Sequence, residues 1–127
     1  MTASSPQPPP ELVDAIAGLT YPSDSDEPWR AFLWPAAKLA VTPRQALEQH
    51  VDAKRAIVEV SLETFFSQLG EADNAERYAR LRRTVQQLLS NIAIIRVGDG
   101  ETQVGVFIVG QLADGSVAGV TTVSVET

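Results

Sequence analysis

The fold is predicted first from the C-terminal sequence RVGDGETQVGVFIVGQLADGSVAGVTTVSVET, Arg96 to Thr127. Together with the three residues before it, this stretch contains three apolar runs, which are AIIRV, VGVFIVGQ and VAGVTTVSVE. The separators GDGE and ADGS each contain an Asp-Gly pair, which is typical of tight hairpin turns because glycine accepts positive φ angles. The pattern therefore predicts a C-terminal three-stranded antiparallel meander.

Both faces of the middle run are apolar. Val104, Val106 and Ile108 share one face, and Phe107 and Val109 share the other, since successive side chains alternate across a sheet. Two apolar faces both require a covering layer. We therefore expect an α+β fold, an α/β/α sandwich around a mainly antiparallel sheet that ends in the meander.

The chain before the meander supplies the helices and the remaining strands. Apolar periodicity and capping residues predict helices at about 10–18, 42–50, 61–66 and 71–92, and strands at 29–34 and 56–60. The long helix carries its apolar stripe from Tyr78 to Ile92. Residues 1–9 are rich in proline and serine, so we expect a disordered leader at 1–9 and one folded domain at 10–127.

Composition and charge restrict the functional classes. The chain of 127 residues has no cysteine, which excludes disulfides and thiolate metal sites. Its formal net charge is -6, with 16 acidic and 10 basic residues, so direct nucleic-acid binding through a broad basic surface is disfavoured. No apolar run approaches the roughly 18 residues of a membrane span and no signal peptide is recognised, so we expect a cytoplasmic protein without a membrane partner.

An acidic loop interrupts the chain at PSDSDEPW, Pro22 to Trp29. Asp24, Asp26 and Glu27 lie between two prolines, an arrangement that fits either a solvated turn or a rigid anionic contact. A calcium loop does not fit, because its fifth, sixth and twelfth positions would be proline, tryptophan and proline. The sequence therefore predicts no metal site of the chain's own.

No catalytic motif is recognised. His50 is the only histidine and lacks a neighbouring nucleophile, and the phosphate-binding glycine loops and hydrolase motifs are missing. The arginine-rich segment ERYARLRR, 76–83, is interpreted as a solvated helix face in preference to a nucleic-acid contact. We therefore predict a protein that is not an enzyme, with no catalytic residue and no cofactor.

The last predicted strand continues its alternation to the end of the chain. Val123 and Val125 alternate with Thr122, Ser124 and Glu126, and Thr127 follows directly. A terminal carboxylate held by a sheet is a positioned anion, whereas a frayed terminus has no function of its own. The pattern alone leaves both interpretations open.

Three separated segments resemble the nuclease A inhibitor family, small inhibitors of sugar-non-specific DNA/RNA nucleases. The segments are YPSDSDEPWRAFLW, VEVSLETFFS and RVGDGETQVGVFIVGQLADGSVAGVTTVSVET, and the similarity spans about residues 11–127 with matching order and spacing. The resemblance implies an α/β/α sandwich that is not an enzyme and that plugs the active site of a metal-dependent nuclease.

The resemblance also implies the contact residues. An acidic residue of the first loop and the C-terminal threonine approach the nuclease's magnesium site in that family, and by position these are Asp24 and Thr127. The partner-binding residues predicted from the acidic loop and the C-terminus are Asp24, Asp26, Glu27, Trp29, Glu126 and Thr127. The alternative is a protein-interaction or regulatory module of the same fold without nuclease-inhibitory activity.

Overall fold

The computed structural model describes residues 8–20, 27–34, 47, 56–69, 75–98, 103–113 and 115–125. Its helices are α1 (Pro10–Ile16), α2 (Leu62–Leu69) and α3 (Ala75–Leu88), and its strands are β1 (Arg30–Trp34), β2 (Ala56–Val60), β3 (Ser90–Gly98), β4 (Gln103–Gln111) and β5 (Val117–Val125). The strands form one sheet in the order β1-β5-β4-β3-β2, and all neighbours are antiparallel. This confirms the α+β class and the C-terminal meander.

The hairpin between β4 and β5 follows the predicted turn. Gly115 has φ 92°, its N–H donates to the carbonyl of Leu112 at 3.0 Å, and the N–H of Leu112 donates to the carbonyl of Ser116 at 2.8 Å. Glycine adopts this positive φ without the steric conflict that a Cβ would introduce. The other predicted turn, at 99–102, lies outside the described residues.

Helices cover one face of the sheet. Tyr78, Leu81 and Val85 of α3 are at most 1% exposed and pack in one cluster with α1 and α2 and with Val106 and Ile108 of β4. This is the face that the sequence assigns to Val106 and Ile108. At about 25 cal/mol per Å² of apolar surface, burial of this face is the main stabilising term of the fold.

A second cluster covers the opposite face. It contains Ile95, Val97, Val109 and Val117, with Phe107 packed against it. Its remaining buried member is Leu47, which is helical and fully buried. The rest of the helix predicted at 42–50 lies outside the described residues, so the second helical layer of the sandwich stays a prediction.

The prediction for the long helix was wrong at its C-terminal end. The helix was predicted to reach Ile92, but α3 ends at Leu88 and β3 begins at Ser90. Asn91 has φ 51°, a left-handed conformation that asparagine tolerates, and the β3–β4 register shifts between Ser90 and Ala93. The apolar spacing of the helix runs on into the strand by coincidence, so periodicity alone does not reveal the turn.

Ser61 caps α2 as predicted. Its side-chain oxygen accepts a hydrogen bond from the backbone N–H of Thr64 at 3.1 Å, and its hydroxyl donates to the Thr64 hydroxyl at 2.7 Å. Such a cap satisfies one of the free N–H groups at a helix start. Phe65 and Phe66 of this helix are consequently buried against the sheet. No helix within the described residues is long and apolar enough to cross a membrane.

The contact between β4 and β5 requires a glycine at position 119. A Cβ on Gly119 would collide with the carbonyl oxygen of Ile108, and backbone atoms cannot move aside without separating the strands. A Cβ on Gly105 would instead meet the side chain of Phe107 at 3.2 Å, and a ring can rotate. The two positions therefore differ in how much crowding they tolerate.

We predict that Gly119→Ala lowers the free energy of unfolding by about 2 kcal/mol or more, as expected for overpacking that moves the backbone. Gly105→Ala is the matched control and should have a clearly smaller effect. Urea denaturation followed by circular dichroism measures both. Equal stability of the two variants would contradict the close packing described for β4 and β5.

Candidate functional site at the acidic loop

The structure describes the base of the acidic loop and the strand that leads to the C-terminus. Four of the predicted partner-binding residues lie outside the described residues, and these are Asp24, Asp26, Glu126 and Thr127. Glu27 and Trp29 are described, Glu27 as partly exposed and Trp29 as buried. The described part of the site therefore consists of residues next to the two predicted anionic segments.

The two ends of the loop lie side by side. Thr20 and Pro28 form an antiparallel bridge, and the N–H of Trp29 donates to the carbonyl of Leu19 at 3.3 Å. The residues on either side of 21–26 therefore meet at one point. We call the residues at this point, 19–20 and 27–29, the loop base.

Tyr78 of α3 joins both sides of the loop base. Its hydroxyl donates to the carbonyl of Thr20 at 2.5 Å and accepts from Nε1 of Trp29 at 3.0 Å. The side chain is 1% exposed, and its ring meets that of Trp29 edge-on at 6.4 Å between centroids. A buried hydroxyl needs such partners, since an unpaired one would destabilise the core. Tyr78 thus fixes the loop base to the helical layer.

Thr122 of β5 holds the other side. Its hydroxyl lies 2.8 Å from the carbonyl of Pro28 and 3.3 Å from that of Glu27, and the residue is 4% exposed. This contact is possible because β5 pairs with β1, which follows the loop base directly. Val125 is three strand positions further on, about 10 Å at the usual rise per residue. The loop base and β5 are therefore joined both by this hydrogen bond and through the pairing of β1 with β5.

Arg77 fixes the helix that enters the loop base. Its guanidinium donates to the carbonyl of Ala17 at 2.7 Å and to that of Ala15 at 3.2 Å, both at the C-terminal end of α1. A cation suits that end of a helix, where carbonyl groups lack partners. The sequence placed Arg77 on a solvated face together with Arg80 and Arg83. Those two are exposed, whereas Arg77 is partly buried and structural.

Trp29 is a core residue. It is 5% exposed and packs edge-on against Phe65, with 6.5 Å between ring centroids. An indole with so little exposed surface has almost nothing to offer a partner directly. Trp29 therefore supports the loop base, and its expected role as a direct partner contact stays a prediction.

At its C-terminal end, strand β5 buries hydroxyl side chains and exposes a valine. Thr122 and Ser124 are 4% and 3% exposed, whereas Val123 is 37% exposed. Hydropathy alone would bury the valine. Thr122 shares its face of β5 with the buried Ala118 and Val120, because side chains alternate along a strand, and its hydrogen bond to the loop base satisfies the buried hydroxyl.

We predict that Thr122→Val loosens the loop base, because it keeps the side-chain shape but removes the donor to Pro28. Loss of one such hydrogen bond is worth about 1 kcal/mol, so the Trp29 amide should exchange with solvent about fivefold faster. The matched control is Thr121→Val, which loses a hydroxyl bond of 2.9 Å to Val106 within the sheet. Hydrogen–deuterium exchange of both variants is the measurement. Equal exchange at Trp29 in the two variants would contradict this role of Thr122.

Comparison with known proteins identifies the family. Residues 9–127 match the family described as nuclease A inhibitor-like protein. No curated protein matches the chain significantly. The family match includes every helix and strand from α1 to β5 as well as the acidic loop, and it confirms the family indicated by the three sequence segments. The chain therefore belongs to the nuclease A inhibitor-like family.

Proposed function

We propose that this protein is a stoichiometric inhibitor of a metal-dependent, sugar-non-specific nuclease and that it occludes the nuclease's active site. Its family membership supports a nuclease as the partner class. The observation that carries the proposed mode of binding is the attachment of the loop base to both layers of the fold, through Tyr78 and Thr122.

Asp24 and the Thr127 carboxylate are the two anions in this proposal. Magnesium keeps several of its waters in protein sites, so a carboxylate can bind through a metal-bound water without displacing the whole shell. Two carboxylates placed beside the metal occupy the positions of phosphate oxygens but offer no bond to cleave. Asp26, Glu27 and Glu126 extend the negative surface around them.

A rigid loop base strengthens such binding. Ordering a flexible loop on association opposes binding by about 0.5–1.5 kcal/mol for each side chain that becomes fixed. The bridge between Thr20 and Pro28, together with the hydrogen bond from Tyr78, fixes the ends of the loop before the partner arrives. Pro22 and Pro28 restrict the backbone further.

The net charge of -6 favours encounter with a cationic nucleic-acid-binding cleft. The same charge opposes direct binding to nucleic acid. A cytoplasmic location, the absence of a cofactor and the absence of catalysis by the chain itself are parts of the same proposal.

Titration of a magnesium-dependent non-specific nuclease with the purified protein tests the proposal. Nuclease activity should fall linearly with added protein and vanish near one equivalent, because a tight occluding inhibitor acts stoichiometrically. Unchanged nuclease activity would instead support an interaction module of the same fold. Metal-dependent turnover by the protein alone would indicate an enzyme and would overturn the proposal.

We predict that Asp24→Asn weakens inhibition by about 2 kcal/mol, roughly thirtyfold in the dissociation constant, as for a close charge interaction at an interface. Glu63→Gln is the matched control, because it removes the same charge from an exposed position in the first turn of α2. Inhibition constants for both variants provide the comparison. Equal constants would remove Asp24 from the contact.

We predict that two glycines added after Thr127 weaken inhibition at least tenfold, about 1.4 kcal/mol, because they displace the terminal carboxylate. The melting temperature should stay unchanged, since a strand end at the surface tolerates extension. Two glycines added at the N-terminus are the control. An extended protein that inhibits as well as the parent would exclude the terminal carboxylate as an anchor.

A further inference from the structure

Exposed apolar side chains cluster around the loop base. Among the residues that the structure describes, three large apolar side chains are exposed, and these are Val13 at 45%, Val58 at 55% and Val123 at 37%. Val123 lines a cleft together with Pro28 and Arg30. Val13 lines a second cleft, between α1 and β1, and this cleft has the same Pro28 and Arg30 in its wall. Two of the three exposed valines therefore flank the loop base from opposite sides.

Val13 and Val123 lie off the buried faces of α1 and β5. In α1 the buried residues are Leu12, Ala15 and Ile16, and Val13 lies off that face. Valine is also a weaker helix former than alanine, leucine or lysine, so local helix stability does not favour it there. Val123 is exposed next to Thr122, which is buried. Both valines therefore present apolar surface that a partner seated at the loop base would cover.

The size of protein interfaces requires contacts beyond the loop. A stable interface uses about 20–30 residues on each side and about 800 Å² per partner. Residues 21–26 and the two C-terminal residues are too few to supply it. Because Pro28 and Arg30 follow residue 26 within four positions and line both clefts, a protein seated on the loop also covers the clefts.

We propose that Val13, Pro28 and Val123, here called the apolar flank, form a second contact for the nuclease that the acidic loop is proposed to bind. This inference rests on the proposed function. The occupant is a nuclease surface that places apolar side chains on both sides of its metal-containing cleft. Arg30, which is exposed between the two clefts, pairs with a carboxylate or carbonyl of that surface.

The acidic loop should mainly affect the association rate of the complex, and the apolar flank should mainly affect its dissociation rate. Long-range charge mainly accelerates association, whereas short-range apolar contacts form late and mainly slow dissociation. Loss of the apolar flank should therefore shorten the lifetime of the complex and leave its formation rate unchanged.

The test is Val→Thr substitution at positions 13 and 123, with Val58→Thr as the matched control. All three changes are uncharged and keep the side-chain shape, and Val58 lies on β2 at the opposite edge of the sheet. Binding kinetics are measured on the immobilised nuclease, and melting temperatures confirm folding. We expect the double variant V13T/V123T to dissociate about tenfold faster with unchanged association, and Val58→Thr to stay within twofold of the parent.

The outcomes separate this inference from the proposed function. A parent protein that does not bind the nuclease overturns both. A parent that inhibits and is weakened by Asp24→Asn, but whose dissociation is the same in V13T/V123T, keeps the proposed function and overturns the apolar flank. Equal acceleration by Val58→Thr also overturns it, because the effect would then not depend on proximity to the loop.

Discussion

Two buried hydroxyl groups hold the backbone at the loop base, and the proposed presentation of the acidic loop depends on them. Tyr78 binds the carbonyl of Thr20 from the helical layer, and Thr122 binds the carbonyl of Pro28 from the sheet. Each buried hydroxyl donates to a backbone carbonyl, so its own hydrogen-bonding capacity is satisfied inside the protein. The loop base is therefore tied both to the helical layer and to the sheet.

In this arrangement, the residues that position the loop base are different from the residues that carry the charge. The positioning groups are neutral and buried, so water and salt weaken their hydrogen bonds little. The proposed anions belong to the acidic loop and to the residues that follow β5, so none of them is among the groups that hold the loop base. A buried carboxylate would destabilise the fold, whereas a buried threonine or tyrosine with partners does not. Rigidity and charge are thereby supplied by different residues.

The sequence predicted those parts that depend on local pattern. Asp-Gly pairs and alternating valines predicted the meander, and Ser61 predicted the start of α2. Contacts between distant residues were not predictable, because Thr122 and Pro28 are separated by 94 positions and no local signal links them. The end of α3 was missed because the apolar spacing of the helix continues into β3. Arg77 was assigned to solvent because its acceptors belong to another helix.

A double-mutant cycle between Thr122→Val and Asp24→Asn tests whether the loop base transmits rigidity to the acidic loop. The dissociation constant for the nuclease is measured for the parent, both single variants and the double variant. If Thr122 positions the loop, Asp24→Asn should weaken binding at least threefold less in the Thr122→Val background than in the parent, because a loosened loop uses its carboxylate poorly. Independent effects, with the same Asp24→Asn penalty in both backgrounds, would contradict the account.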